Sequence, residues 1–210
     1  MQKADNFFSP AEKERISQAI AAVEKLTAGE VAVVVADESD RYPEAAILSG
    51  ITLGGVIALL ITDLLFHDSL WFFLPIALLA GFAIGWCTGK VPTLKRFFVP
   101  QARLEEEVAQ RALQAFYDKG LHRTRDATGV LFFISLLEHK AWVLAYQGIY
   151  QKISQEKLNQ YAANVAAGIK EGRAAEVLCQ EIQQIGITLA QHFPIKPDDI
   201  NELSNEVRRA

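Results

Sequence analysis

Two long apolar segments in the middle of the chain restrict its fold more than any other feature. Residues 45–66 contain one charged residue, Asp63, and residues 70–89 contain none. Each segment approaches the roughly 20 residues that an α-helix needs to cross about 30 Å of hydrocarbon. Strands are far shorter than these segments, since few exceed about 10 residues. The sequence therefore predicts two membrane-spanning helices, and the alternative is a pair of buried core helices in a soluble protein.

The flanks of these segments predict how the helices are oriented. The linker is only residues 67–69, so the two helices must run antiparallel as a hairpin with both ends on one side. The segments that flank the hairpin carry the basic residues Arg41, Lys90, Lys95, Arg96 and Arg103. The tip of the hairpin carries no Lys or Arg and has two acidic residues, Asp63 and Asp68. The positive-inside rule then places both termini and nearly all of the polar chain in the cytoplasm, at the inner membrane.

Glycines spaced four residues apart mark both apolar segments. Gly50 and Gly54 lie in the first segment, and Gly81 and Gly85 lie in the second. This spacing aligns small residues along one helix face, where two backbones can approach closely. We interpret the four glycines as the contact between the two hairpin helices. The alternative is that the same glycines drive a homodimer.

The polar parts of the chain have the pattern of one α/β domain. The predicted strands are Glu30 to Ala36, Thr128 to Leu136 and Ala141 to Tyr146. The predicted helices start at Ser9-Pro10 and at Ser154 and span Gln101 to Lys119 and Arg173 to His192. The first strand leads through a helix to the second, which predicts a parallel pair. A tight turn makes the third strand antiparallel to the second. The prediction is one domain formed by residues 1–44 and 90–210, interrupted by the hairpin at residues 45–89.

Composition excludes several classes of protein. The chain has 210 residues, a net charge of −4 and two cysteines. Nucleic-acid binding requires a basic surface, so this charge argues against a nucleic-acid partner. Two isolated cysteines make neither a disulfide framework nor a zinc site. The apolar segments make the lipid bilayer the expected partner.

Acidic residues supply the candidate ligands for a cation. Asp37, Glu38 and Asp40 follow the first strand, and ligands of α/β sheets usually bind beyond the carboxyl ends of the strands. These three are candidates for a divalent cation such as Ca²⁺ or Mg²⁺, and the alternative is a solvated loop. Asp126, before the second strand, and Glu202, in the tail, are further candidates. The strand order predicts that Asp37 and Asp126 lie at opposite ends of the sheet, roughly 20 Å apart.

The tail of the chain carries regularly spaced apolar residues. Ile200, Leu203 and Val207 follow the last proline in an otherwise polar segment. We expect them to dock on the body of the domain, with Glu202 fixing the tail. No phosphate-binding glycine loop, nucleophile elbow or zinc-protease motif occurs in the sequence.

Three stretches resemble the TPM-domain family. FFSPAEKERISQAIAAVEKLTAGEVAVVV resembles the opening of that domain, TGVLFFISLLEHKAWVLAYQGI its central strands, and HFPIKPDDINEL the tail of a short, membrane-associated branch. The resemblance implies an α/β/α sandwich with a small mixed sheet. It also implies a role in quality control or assembly of membrane protein complexes, and therefore other membrane proteins as partners. Some members are described as acid phosphatases or as binding divalent metals through acidic residues.

The sequence departs from the family where acidic residues are common. Tyr146 and Gln147 stand before the glycine of QGI, and Ser154-Gln155 stands at another acidic position. These departures weaken the case for a metal and for phosphatase chemistry. We therefore expect a non-catalytic interaction or quality-control module with no cofactor. The alternative is a metal-dependent, phosphatase-like hydrolase.

Overall fold

The computed structural model describes residues 3–66, 70–124, 128–195 and 203–210. These form two compact units, residues 40–104 and residues 3–39 together with 105–210, which we call the apolar-helix unit and the α/β unit. The helices are α1 (Pro10–Glu24), α2 (Pro43–Phe66), α3 (Leu70–Lys90), α4 (Pro92–Phe97), α5 (Gln101–Asp118), α6 (Gln147–Tyr150), α7 (Gln155–Lys170) and α8 (Ala174–His192). The strands are β1 (Glu30–Ala36), β2 (Gly129–Ser135), β3 (Lys140–Ala145) and β4 (Arg208–Arg209).

The first helix begins where its local sequence predicts. The Ser9 hydroxyl accepts a hydrogen bond from the Glu12 N–H, and the Glu12 carboxylate accepts one from the Ser9 N–H, 2.8 Å away. This reciprocal pair satisfies two N–H groups that the helix itself leaves without partners. Pro10 suits the first turn because it has no N–H to satisfy.

The sheet of the α/β unit has the order β3-β2-β1-β4. Strands β1 and β2 are parallel, in register from Glu30 opposite Gly129 to Ala36 opposite Ser135. Strand β3 is antiparallel to β2. Both orientations confirm the sequence prediction. Strand β4, which the sequence pattern did not predict, pairs in parallel with β1 at Val34 and Val35.

Alternating side chains of the buried strands enter two apolar clusters. Val31, Val33 and Val35 join a cluster with α1, α7 and α8, whereas Ala32 and Val34 join one with α5. A strand points successive side chains to opposite faces, so helices cover both faces of β1. This explains the continuous apolar sequence of that strand. In the described part of the tail, Leu203 packs against the second cluster and Val207 against the first; Ile200 lies outside the described residues.

The apolar-helix unit is built on the contact between α2 and α3. Both are long and apolar enough to cross a membrane. A Cβ on Gly54 would lie 2.5 Å from the Gly81 Cα, and a Cβ on Gly85 would lie 2.8 Å from the Ala46 carbonyl oxygen. The four glycines of the sequence pattern therefore lie in the contact between these two helices.

Short elements account for the differences between prediction and structure. Helix α4 was not predicted, and α6 includes Gly148, where the sequence indicated the start of a loop. Both are shorter than two turns, too short for an apolar periodicity to distinguish them from loops. The longer elements agree with the predicted bounds to within about two residues.

Candidate functional site

The carboxyl end of β1 carries the first predicted site residue, Asp37. One carboxylate oxygen of Asp37 accepts a hydrogen bond from the Ala4 N–H at 2.6 Å. The other oxygen accepts one from the Arg209 guanidinium at 2.6 Å. Arg209 also binds the Asp5 carboxylate at 2.9 Å. Asp37 therefore ties the N-terminal segment and the C-terminal strand to the end of the sheet.

A second carboxylate at this end of the sheet belongs to Glu138, which sequence reasoning did not single out. Glu138 is fully buried. One of its oxygens accepts the Ser39 N–H at 2.9 Å, and the other accepts a short hydrogen bond from the Ser135 hydroxyl. The Ser39 hydroxyl donates to that of Ser135 at 2.9 Å. These bonds compensate for burying the carboxylate and fix the turn after β2 against the loop after β1.

The remaining predicted ligands have separate positions. Glu38 is half-buried in the loop after β1. Asp40 belongs to the apolar-helix unit, where Arg103 lies 3.7 Å from its carboxylate. Asp126 and Glu202 lie outside the described residues.

A divalent cation needs several convergent oxygen ligands. Within residues 3–66, 70–124, 128–195 and 203–210, no three His, Cys, Asp or Glu side chains are grouped so that they could hold a metal ion. Both oxygens of Asp37 already accept hydrogen bonds, one of them from a cation. The described residues of the acidic loop do not by themselves make up a ligand set, and the cation site stays a prediction.

At the other end of β1, two glutamates lie side by side. The pKa of the Glu24 carboxyl is raised to about 8, first because the group is largely buried and second because the Glu30 carboxylate adjoins it. Hydrogen bonds from the Val31 N–H, at 3.3 Å, and from Asn205 oppose this shift. Glu24 also ends α1, where the helix dipole disfavours a negative charge. The pair therefore holds a proton at neutral pH and contacts the C-terminal tail through Asn205.

The α/β unit also contains an open pocket of about 280 Å³. Its lining is aromatic and aliphatic: Leu113, Phe116, Tyr117, Leu144, Ala145, Tyr146, Gln147 and Tyr150. The rings of Phe116 and Tyr146 are nearly parallel, with centroids 6.3 Å apart. Among the described residues that line it, none is Asp, Glu, Lys, Arg or His. The pocket therefore suits an apolar or aromatic group and offers no general acid–base pair for hydrolysis.

Comparison with known proteins gives a fold relationship. No protein-family profile matches the chain, and no curated protein matches it. Among solved structures, the chain is similar to the NMR structure of the BA42 protein from the psychrophilic bacterium Bizionia argentinensis. The similarity covers 100% of both chains, with a TM-score of 0.62 and 20% sequence identity. At this identity the similarity concerns the fold alone.

The structure thus adds residues that the sequence pattern did not reveal. Arg209 and Glu138 carry the polar contacts at the carboxyl end of β1. Neither follows a motif: Arg209 belongs to a two-residue strand, and Glu138 lies in a turn where acids are ordinarily solvated. The acidic neighbourhood of Asp37 was foreseen, but its pairing with the far terminus was not.

Proposed function

We propose that the chain is a membrane-anchored, TPM-like α/β/α sandwich, interrupted by a two-helix transmembrane hairpin. Its role is a non-catalytic interaction or quality-control module for membrane protein complexes at the inner membrane. The observation that carries the proposal is that α2 and α3 bury their small residues and expose their large apolar ones. Their glycines are in contact, and their large apolar side chains face outwards.

The outward surface of these helices is what a bilayer would cover. The exposed residues include Ile47, Ile51, Leu60, Leu64, Leu74, Leu78, Leu79 and Phe82. Monomeric soluble proteins rarely expose a continuous apolar surface of this extent. Between helices in lipid, close backbone packing at small residues replaces the burial of large side chains as the source of association. This combination supports spanning helices over buried core helices.

The tryptophans of α3 support the same interpretation. Trp71 and Trp86 are both exposed, near the first and last turns of the helix. Fifteen residues at about 1.5 Å each separate them by roughly 22 Å along the axis. Tryptophan is enriched at both interfaces of a membrane, so this spacing suits a helix that crosses the hydrocarbon.

Two features of the α/β unit support a binding role over a hydrolytic one. The pocket between α5, β3 and α6 exposes Tyr117 and Tyr150 to solvent, and the described residues of its lining include no ionisable acid or base other than tyrosine. The Asp37 carboxylate is already engaged by Arg209 and a backbone N–H. Aromatic residues in an open pocket are typical anchors for a protein partner.

The glycines allow a competing proposal, a homodimer through Gly50, Gly54, Gly81 and Gly85. Gly81 already contacts both Gly50 and Gly54 within the chain. A dimer through these residues would require α2 and α3 to separate. We therefore favour their intramolecular use.

Cysteine labelling tests the membrane topology. The native thiols are first removed by Cys87→Ser and Cys179→Ala, and single cysteines are introduced by Asp68→Cys and Tyr150→Cys. In intact cells an impermeant reagent should label position 68 from outside and leave position 150 unlabelled. The reverse pattern would refute the orientation, and labelling of both positions would refute the hairpin.

Affinity capture in mild detergent tests the interaction module. The wild type should retain specific membrane proteins identified by mass spectrometry, and Tyr117→Ala/Tyr150→Ala should lose them. Ile187→Ala, which alters an exposed apolar residue of α8 outside the pocket, serves as the matched control. Equal retention by all three proteins would remove the pocket from the proposal.

A phosphatase assay tests the alternative function. The detergent-purified chain should show no appreciable hydrolysis of a generic phosphate ester with Mg²⁺, Mn²⁺ or Ca²⁺. Robust turnover that Asp37→Ala abolishes would replace the module by a metal-dependent hydrolase.

A further inference from the structure

The short helix α4 exposes apolar side chains and buries a lysine, the reverse of an ordinary surface helix. Phe97 is 81% exposed, and Val91, Leu94 and Phe97 are spaced three residues apart, all on the exposed side. Lys95, in contrast, is only 8% exposed. A surface helix in water ordinarily places its lysines outwards and its aromatic residues inwards. The placement in α4 indicates that something other than water covers its outer side.

The exposed side of α4 continues the exposed surface of α3. Only Val91 separates the two helices. Trp86, in the last turns of α3, is 60% exposed, and the Lys90 ammonium lies 3.5 Å from the centre of its ring. Tryptophan beside lysine is the usual combination at the boundary between hydrocarbon and headgroups, where the ring stays apolar and the ammonium reaches the polar layer.

We propose that α4, with Trp86 and Lys90, is an interfacial anchor that lies at the headgroup level of the phospholipid bilayer. The inference rests on the proposed function, because α3 must span the bilayer for α4 to reach that level. Its occupant is the lipid surface, and a partner protein or a second copy of the chain is an outcome of the test.

The length of α3 determines the depth in the bilayer at which α4 begins. The 21 residues of α3 rise about 32 Å, close to the roughly 30 Å of the hydrocarbon layer. If Trp71 lies near one boundary, Lys90 lies near the other. Helix α4 begins two residues after Lys90, too soon for the chain to leave the headgroup region. Apolar faces of interfacial helices typically enter about 5–10 Å into that boundary.

The interfacial position also explains why α4 exists. Val91 is extended, and Pro92 at the first turn starts a new helix. An interruption at the boundary lets the chain leave the direction of the spanning helix. Phe97 then acts as a wedge that limits how far α3 slides along the membrane normal, since moving an exposed phenyl ring from lipid to water is unfavourable.

Depth-dependent fluorescence quenching in vesicles tests the inference on the full-length chain. The three tryptophans are Trp71, Trp86 and Trp142. One variant keeps only Trp71; a second replaces all three by phenylalanine and adds Phe97→Trp. Both are reconstituted in phosphatidylethanolamine–phosphatidylglycerol vesicles. Part of the lipid is brominated either near the headgroup or near the chain end, and aqueous iodide is used in parallel.

The indole introduced by Phe97→Trp should be quenched about twofold more by lipid brominated near the headgroup than near the chain end. Its accessibility to iodide should fall markedly compared with the detergent-free unfolded chain. Stronger quenching by the deep bromine would make α4 part of a spanning segment. Iodide quenching without lipid quenching would place it in water, and protection from both quenchers would mean a protein cover. Each of these three results overturns the proposal.

The Trp71 variant separates this inference from the proposed function. If Trp71 is quenched by lipid and the indole at position 97 is not, only the interfacial role of α4 fails. If Trp71 is not quenched by any brominated lipid, the helices do not enter the bilayer and the membrane anchoring itself fails.

Discussion

The two compact units use the same apolar residue types in opposite ways. In the α/β unit, Ile182 is 0% exposed and packs in the cluster between β1 and the helices. In the apolar-helix unit, Leu60 is 64% exposed, while Gly54 is buried against Gly81. In water, large side chains stabilise a core by leaving the solvent. In hydrocarbon that gain disappears, and helix association depends on close backbone contact. The difference is the one that we expect if the α/β unit lies in water and α2 and α3 lie in lipid, as proposed.

The strongest test of this comparison is a glycine substitution in α2. Gly54→Leu should separate α2 from α3, at a cost of about 3 kcal/mol or more, because even its Cβ would collide with the Gly81 backbone. Gly55→Leu is the matched control, since no atom in the described part of the chain lies within 4 Å of where its Cβ would be. Thermal unfolding in detergent measures both. Equal destabilisation would contradict the packing argument, because both substitutions raise helix propensity alike and only Gly54→Leu enters the contact with α3.

The second test removes a large side chain from each unit. Ile182→Ala should destabilise the α/β unit by about 2–4 kcal/mol, because it leaves a cavity in a fully buried position. Leu60→Ala should change stability in detergent by less than about 0.5 kcal/mol, because it only trims an exposed surface. Urea unfolding followed by circular dichroism measures both effects. A large loss from Leu60→Ala would contradict the proposal that this side chain faces lipid.

The third test uses pH. In the folded chain Glu24 stays protonated until its pKa of about 8, whereas in the unfolded chain it ionises at the ordinary value of 4.5. Between these values the folded state binds the extra proton, so stability should fall as pH rises from about 4.5 to about 8 and then level off.

Glu24→Gln should remove this dependence. At pH 8 it should raise stability by about 1–2 kcal/mol, a figure reduced for the partial exposure of the side chain. Thermal unfolding from pH 5 to pH 8.5 checks it, with the exposed residue Glu14 changed by Glu14→Gln as control. A wild-type stability that does not fall over this range would contradict the raised pKa.

The smallest expected effect concerns Arg209. Its ion pairs are half exposed, so Arg209→Gln should cost no more than about 1 kcal/mol. Millimolar Ca²⁺ or Mg²⁺ should leave the melting temperature of the wild type unchanged, because the Arg209 guanidinium already contacts both the Asp37 and the Asp5 carboxylates. Arg208→Gln is the control. A clear rise in the wild-type melting temperature with Ca²⁺ would favour the cation site predicted from Asp37.

Much of the fold follows from local sequence. The capping box at Ser9, the apolar run of β1 and the spacing of Gly50, Gly54, Gly81 and Gly85 each act between residues close in the chain or on one face of a helix. Such patterns predicted the long helices, three strands and their orientations. The candidate site was foreseen only as an acidic loop at Asp37.

Only the tertiary structure decided which polar side chains from distant parts of the chain contact each other. Asp37 binds Arg209, 172 residues away, and Asn205 of the same tail contacts Glu24. Neither contact has a local signal, because the two-residue strand β4 gains its structure only by pairing with β1. Periodicity along the chain determines which face of an element is apolar. Which charged residues meet depends on how distant elements pack, and that packing makes Asp37, in the acidic loop of the sequence, an ion-paired junction between the N-terminal segment and the C-terminal strand.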